Sequence, residues 1–380
     1  MFAETQGTPS QLIFDKNREW EYDSVGICRS FINGGIGLVR VAMYYSNQDV
    51  RLEEMPVPRI GPGEMLIRIE ASGICGSDVM EWYRRDKVPL ILGHEIAGEV
   101  VEVGEGVRRY NKGDRISASH HVPCNTCRYC LQGHHTVCDT LRQTHFDPGG
   151  FAEYVRIPGI NVDRGVYPLP DGVNFEEATF IEPVACVLRS LRMARFRPGQ
   201  TVLVIGSGIA GLLHVHLTKA LGAGLIVAAD IVERRLDAAR QLGADMAFNG
   251  EEKLPSRLRE INNGWLADLV VVCTGARPAQ IEAMESVERG GTVLFFAPTD
   301  LGVTIPLSIN DLFWRNDITL TTSYAGSPGD HVEALELIRL GRLHVGEMIT
   351  HRFGLGETGE GFKLVAEARD SLKVIIEPQR

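Results

Sequence analysis

The sequence predicts an α/β protein in two parts, a β-rich unit followed by a doubly wound parallel sheet. Three observations predict it. The 380 residues exceed what one hydrophobic core usually organises. From Val41 onward the chain is a run of short Val- and Ile-rich segments separated by turns such as Ile60-Gly61-Pro62-Gly63. After Arg197-Pro198-Gly199 strands alternate with amphipathic helices, which is the mark of βαβ units.

Taken in order, residues 1–40 fit neither part. They carry Trp20, Tyr22, Phe31 and a glycine-rich run at 34–37 with no strand before it and no helix after it, and they read as an extension. Residues 41–184 form the β-rich unit, with strands at 39–45, 64–72 and 95–104 and a polar loop at 120–145. Residues 185–326 form the wound unit. Its strands fall at 201–206, 225–230, 244–249, 267–275 and 290–298, and its first two helices at 209–221 and 233–242. Residues 327–380 hold a helix at 330–340, a short β-like piece at 349–353, another helix and a last strand at 372–378, and are expected to return to the β-rich unit.

Composition narrows the function. The chain is 44% hydrophobic and 23% charged, with a net charge of −10. An acidic chain argues against nucleic acid, which needs a basic surface. No apolar run reaches the roughly 18 residues of a membrane span. The opening MFAETQGTPS has neither the charged nor the apolar region of a secretory signal. Four of the eight cysteines fall between Cys124 and Cys138, a density that reads as metal binding in a reducing compartment, the cytoplasm.

Gly206-Ser207-Gly208-Ile209-Ala210-Gly211 follows a strand, opens a helix and precedes Asp230 at the end of the next strand. That context marks a dinucleotide loop. Gly206 permits the tight turn, Gly208 lets the backbone approach a pyrophosphate, and Gly211 lets helix and strand pack closely. The amides of Ile209 and Ala210 then face the phosphates. Asp230 suits ribose hydroxyls and so NAD over NADP, while Arg234 and Arg235 nearby could accommodate a 2′-phosphate. The bland reading is a βα turn without ligand and an aspartate that caps a helix.

Cys124, Cys127, Cys130 and Cys138 supply four thiolates to one ion, a closed tetrahedral structural zinc site, with an iron–sulfur cluster as the competing reading. The loop around them is too polar to fold unaided, so metal would supply that free energy. A second group is scattered: Cys75 with Ser77 and Asp78, His94 with Glu95, and Glu182 with Pro183. Taken singly, each has an inert structural explanation.

Together these motifs resemble the medium-chain, zinc-dependent alcohol dehydrogenase superfamily, in its polyol (sorbitol-like) and L-threonine 3-dehydrogenase branch. The likeness runs from about Val41 to Pro378 and includes Gly73 to Asp78, Gly93-His94-Glu95, Gly113-Asp114-Arg115, the cysteine loop, Glu182-Pro183, the glycine loop with Asp230, and Ile349 to Phe353. The resemblance implies a GroES-like catalytic domain and a Rossmann coenzyme domain, with two zinc ions and NAD per chain. It implies Cys75 and His94 as catalytic zinc ligands, Glu95 or Glu182 as the third, and Ser77 as the hydroxyl that takes the substrate proton. Such a site is expected to oxidise a secondary alcohol (polyol, cyclitol or amino alcohol) to a ketone, reversibly, in a homodimer or homotetramer. L-Threonine 3-dehydrogenase and a non-catalytic NAD- and zinc-binding structural protein are the alternatives. A metal-free quinone or enone reductase would leave the Cys75, His94 and Glu95 set unexplained.

Three positions depart from the family. Met80 stands where many relatives place the outer histidine of a proton relay. Glu81 stands where polyol enzymes often have a tyrosine, and Ser323-Tyr324 replaces an Arg-Tyr pair. Cys186, four residues after Glu182, is expected to face the nicotinamide or pack.

Overall fold

The computed structural model describes residues 37–368 and 370–380. The expected extension, apart from its last four residues, lies outside them.

The β-rich unit is built on a seven-stranded sheet. Its strands run in the order Ile349–Gly354, Lys373–Glu377, Met65–Gly73, Glu95–Val103, Arg115–Ala118 and Val166–Pro168, with Tyr154–Ile157 also paired to Met65–Gly73. Leu38–Ser46, Asp49–Pro56 and Leu90–Ile91 make a smaller antiparallel sheet beside it. Residues of one strand parity, such as Ile67, Ile69, Ile116, Val155 and Ile157, close a single core between them.

The coenzyme unit is a six-stranded sheet in the order Met246–Asn249, Leu225–Asp230, Thr201–Ile205, Ala267–Val272, Val287–Phe295 and Thr319–Thr322. Every pairing in it is parallel. All five residues of Thr201–Ile205 are buried, because helices cover both faces of the sheet. The strand order reverses beside Thr201–Ile205, so a crevice opens at the C-terminal end of that strand. The glycine loop sits there, ahead of the helix Ile209–Ala220.

Two elements join the units. The helix Ile181–Met193 runs without a break through 184 and 185, where the sequence suggested a boundary, and packs on the helix Pro328–Arg339. The latter begins two residues before the expected 330, because the Ser327 hydroxyl accepts from the Asp330 amide and caps the helix there. The last strand pairs antiparallel with Met65–Gly73 through Ile375 with Gly73 and Ile376 with Ser72. The chain end thus returns to the β-rich unit.

Candidate active site

Each side chain of the second ligand group reaches the cleft through a different local device. Cys75 leaves the end of Met65–Gly73 in a tight turn in which its amide donates to Asp78 Oδ2 at 3.0 Å and the Asp78 amide donates to its carbonyl, also at 3.0 Å. His94 precedes the strand Glu95–Val103. Gly93 before it takes φ +94°, and a Cβ there would come within 2.7 Å of the Phe151 backbone. Only glycine fits that corner. Glu95, the first residue of the strand, is 1% exposed.

Thiolate, imidazole and carboxylate meet at one point: the ligand atoms of Cys75, His94 and Glu95 lie within 4.8 Å of one another. That spacing and donor chemistry suit a zinc with an open position. Glu182 does not belong to that set. Its Oε1 accepts from the Cys186 thiol at 3.3 Å in the first turn of Ile181–Met193. Burial raises its pKa, and the nearby Glu95 carboxylate adds to the rise against the pull of His94. Of the two candidate third ligands, the structure brings Glu95 to the cysteine and histidine. Ser77 lines the same cleft, its amide 3.5 Å from the Cys75 sulfur.

Two partners of this site carry no role in the sequence reading. Asp78 is fully buried, with Oδ1 3.4 Å from His94 Nδ1 and 3.7 Å from the Arg84 guanidinium. Burial works against its charge, but His94 and Arg84 more than offset that and hold its carboxyl below the usual range. Burial likewise opposes charge on His94, and Asp78 with Cys75 outweighs it, keeping the ring protonated well above the usual range. A cation on the other ring nitrogen would compete with that proton. A carboxylate behind a ligand histidine fixes its tautomer and orientation. The second partner is Lys373, whose buried ammonium pairs with Glu95 and donates to the Ile74 carbonyl at 3.4 Å. A Cβ on Gly73 would fall 2.7 Å from Lys373 Cε, so that glycine makes room for the pair. Asp78 lay in a motif already quoted, whereas nothing in the local pattern around Lys373 marks it.

The far wall of the cleft is a row of rings. His120 lies tilted against His121 at 3.7 Å between centroids and 4.8 Å from His94. His121 Nδ1 faces the Thr144 carbonyl at 3.1 Å, and its Nε2 faces Tyr324 Oη, also at 3.1 Å. Burial lowers the His121 pKa to about 3, so the ring is neutral at neutral pH. Met80 lines the cleft, whereas Glu81 turns out of it and accepts from the Asn47 amide at 2.9 Å. Cys186 also lines the cleft.

The four-cysteine loop closes on itself. Its sulfurs lie 3.5 Å (Cys127 to Cys130), 3.6 Å (Cys138 to Cys124) and 3.9 Å (Cys124 to Cys130) apart. Four sulfurs at the zinc–sulfur bond length stand about 3.8 Å from one another in a tetrahedron. The donors therefore fit one ion and leave no space for bridging sulfide. Backbone amides support the charge: those of Thr126 and Cys127 point at Cys124 and lower its pKa to about 5.

In the coenzyme crevice Gly206 takes φ +94°, and any Cβ on Gly211 would collide with the Gly206 carbonyl. A Cβ on Gly208 would meet only the Arg235 guanidinium, 4.0 Å away, so that face of the loop is left to a ligand. Asp230 Oδ2 accepts from the Ser207 amide at 2.7 Å and Oδ1 from the Val232 amide at 2.9 Å, which anchors the loop. A carboxylate has about four acceptor positions, so capacity for ribose remains. Arg235 faces the loop, 3.9 Å from Asp230, while Arg234 turns away to the Asp370 carbonyl. Gly208, Ile209, Ala210 and Arg235 line the same continuous cleft as Cys75 and His94.

Residues 61–171 match the alcohol dehydrogenase GroES-like domain and residues 210–339 the zinc-binding dehydrogenase domain. Sorbitol dehydrogenase of Gallus gallus is 32% identical over 83% of this chain and 90% of its own. The chain belongs to the zinc-dependent medium-chain alcohol dehydrogenase superfamily. L-Threonine 3-dehydrogenase of Sinorhizobium medicae is 31% identical over 86% of this chain and 94% of its own. Among solved structures, an alcohol dehydrogenase of Thermus sp. ATN1 superposes with a TM-score of 0.78 at 29% identity, covering 89% of this chain and 99% of that one. The GroES-like and Rossmann architecture of these dehydrogenases is the one described above.

Proposed function

We propose that the protein is an NAD-linked zinc dehydrogenase that reversibly oxidises a secondary alcohol of a polyol, cyclitol or amino alcohol to the ketone. One observation carries the reading: a Cys from one stretch and the adjacent His and Glu of another converge in the cleft that also holds the dinucleotide loop. When bound, zinc supplies a Lewis acid that acidifies the substrate hydroxyl, and NAD supplies the hydride acceptor.

The chain's own groups do the rest. Cys75, His94 and Glu95 hold the ion, and Asp78 keeps the imidazole aimed at it. Ser77, two residues from Cys75 and inside the cleft, takes the hydroxyl proton. With Met80 in place of a histidine, that proton passes on to water or ribose. Glu182, which accepts from the Cys186 thiol, lines the same cleft with it. Amides of Ile209 and Ala210 receive the pyrophosphate, and Asp230 the adenosine ribose. The four-cysteine loop would hold a second, structural zinc.

Two finer features have narrower support. Leu301, Val303, Leu307, Ile309 and Trp314 are exposed next to the edge strand Thr319–Thr322, an apolar surface suited to pairing with a second copy in a homodimer or homotetramer. Thiolate ligands and nicotinamide chemistry fit a cytoplasmic setting. Among the described residues no helix could cross a membrane.

Metal content and turnover test the proposal together. We expect two zinc ions per chain and reduction of NAD by members of a polyol, cyclitol and amino-alcohol panel. One zinc with no turnover would leave the non-catalytic structural protein.

A further inference from the structure

We propose that the substrate carries an anionic group, a carboxylate or phosphate, several bonds from the carbinol, and that Lys87 and Arg84 receive it beside Tyr83 and His145. This rests on the dehydrogenase reading for the position of the carbinol.

The argument starts from charge. The chain carries a net −10 and as a whole repels anions. Yet the outer end of the cleft gathers cations. Lys87 Nζ lies 3.7 Å from the centre of the Tyr83 ring and the Arg84 guanidinium 4.9 Å from it. Among the described residues no carboxylate lies within ion-pair reach of Lys87; the ring face is its partner. Arg84 is half committed, to the Ser77 carbonyl at 3.2 Å and to Asp78, but its Nε is buried without a hydrogen bond. Lys87, Arg84 and Tyr83 all line the cleft that contains Cys75 and His94.

The ring wall sets the direction in which the anion would lie. From His94 the wall runs ring to ring, 4.8 Å to His120, 3.7 Å to His121 and 5.8 Å to His145. His145 lies within the field of both cations, since burial first and then Lys87 and Arg84 lower its pKa. A compound that places its carbinol at Cys75 and His94 therefore meets neutral imidazoles along its length and permanent positive charge at its far end. A plain alditol would leave those cations without an anion. A carboxylate or phosphate there forms charge-assisted hydrogen bonds.

The test compares erythritol, erythronate and erythritol phosphate on the zinc-loaded enzyme with NAD, at low and high salt. We expect kcat/KM for at least one anionic compound to exceed that for erythritol by about tenfold or more, with the gap narrowing as salt screens it. Lys87→Glu should collapse the anionic-to-neutral ratio, whereas Lys112→Glu, on an exposed turn outside the cleft, should leave it. The better anion identifies the group. Equal kcat/KM for all three, or a ratio indifferent to Lys87→Glu, overturns the proposal. Calorimetric binding of the same compounds to the NADH complex separates it from the reading beneath. If nothing is oxidised, the dehydrogenase assignment fails. A binding preference for the anion that Lys87→Glu abolishes would still uphold this site, and none would end it.

Discussion

The two thiolate clusters of this chain are built in opposite ways. Cys124, Cys127, Cys130 and Cys138 come from one short loop, and their charge is steadied by local amides. They form a closed set within that loop, with Leu141 and Ala325 packed against it. Cys75 leaves one strand end and the adjacent His94 and Glu95 open another, and the last two lean on residues elsewhere: His94 on Asp78, and Glu95 on Lys373, 278 positions away. The first arrangement would saturate an ion and suits structure. The second leaves a corner open, and its geometry depends on the whole β-rich unit being folded.

Removing a ligand should break the contrast most sharply. Cys75→Ala is expected to lower turnover by about a thousandfold or more while NAD still binds and zinc falls from two to one per chain. Unchanged turnover, read by nicotinamide absorbance, would refute the metal assignment. Next in size is Lys373→Met, which leaves a buried carboxylate without its cation. Breaking such a pair costs about 3–5 kcal/mol, measurable as a shift in the denaturant midpoint of the zinc-loaded protein. A loss below about 1 kcal/mol would mean that Glu95 finds its compensating charge in the metal instead.

Asp78→Asn should sharpen the comparison without dismantling the site. It is expected to weaken zinc binding at Cys75 and His94 by about 10–100-fold and to leave the four-cysteine site unaffected, as metal titration would show. Equal loss from both sites would argue that Asp78 acts on folding generally. The smallest expected effect lies outside both clusters. Asp230→Ala should cut the preference for NAD over NADP by about tenfold, worth about 1.4 kcal/mol. An unaltered ratio would reduce Asp230 to its bonds with the Ser207 and Val232 amides.

Much of this was legible before any coordinates, where the signal is local. The glycine loop is readable because Gly206 and Gly211 answer constraints imposed by their immediate neighbours, a left-handed turn and a carbonyl in the way. The cysteine loop is readable for the same reason. What stayed hidden is contact between distant segments. How near Glu182 comes to Cys75 and His94 depends on how the helix Ile181–Met193 seats against the sheet, and the group within 4.8 Å holds Glu95. Arg234 and Arg235 are adjacent and alike in composition, yet only Arg235 faces the glycine loop, because successive helix positions point in different directions. The histidine wall combines His120 and His121 before the cysteine loop, His145 after it and Tyr324 from the far side of the coenzyme unit.

By itself the sequence determined the two-part architecture, the glycine turn after the first strand of the wound unit and the cluster of four cysteines, since each follows from hydrophobic period or from residues a few positions apart. Tertiary structure alone decided which carboxylate meets the cysteine and histidine, which cation neutralises it, and which charges line the substrate's end of the cleft. Those choices depend on pairings across hundreds of residues, such as Ile375 with Gly73, which bring together groups that no local pattern links.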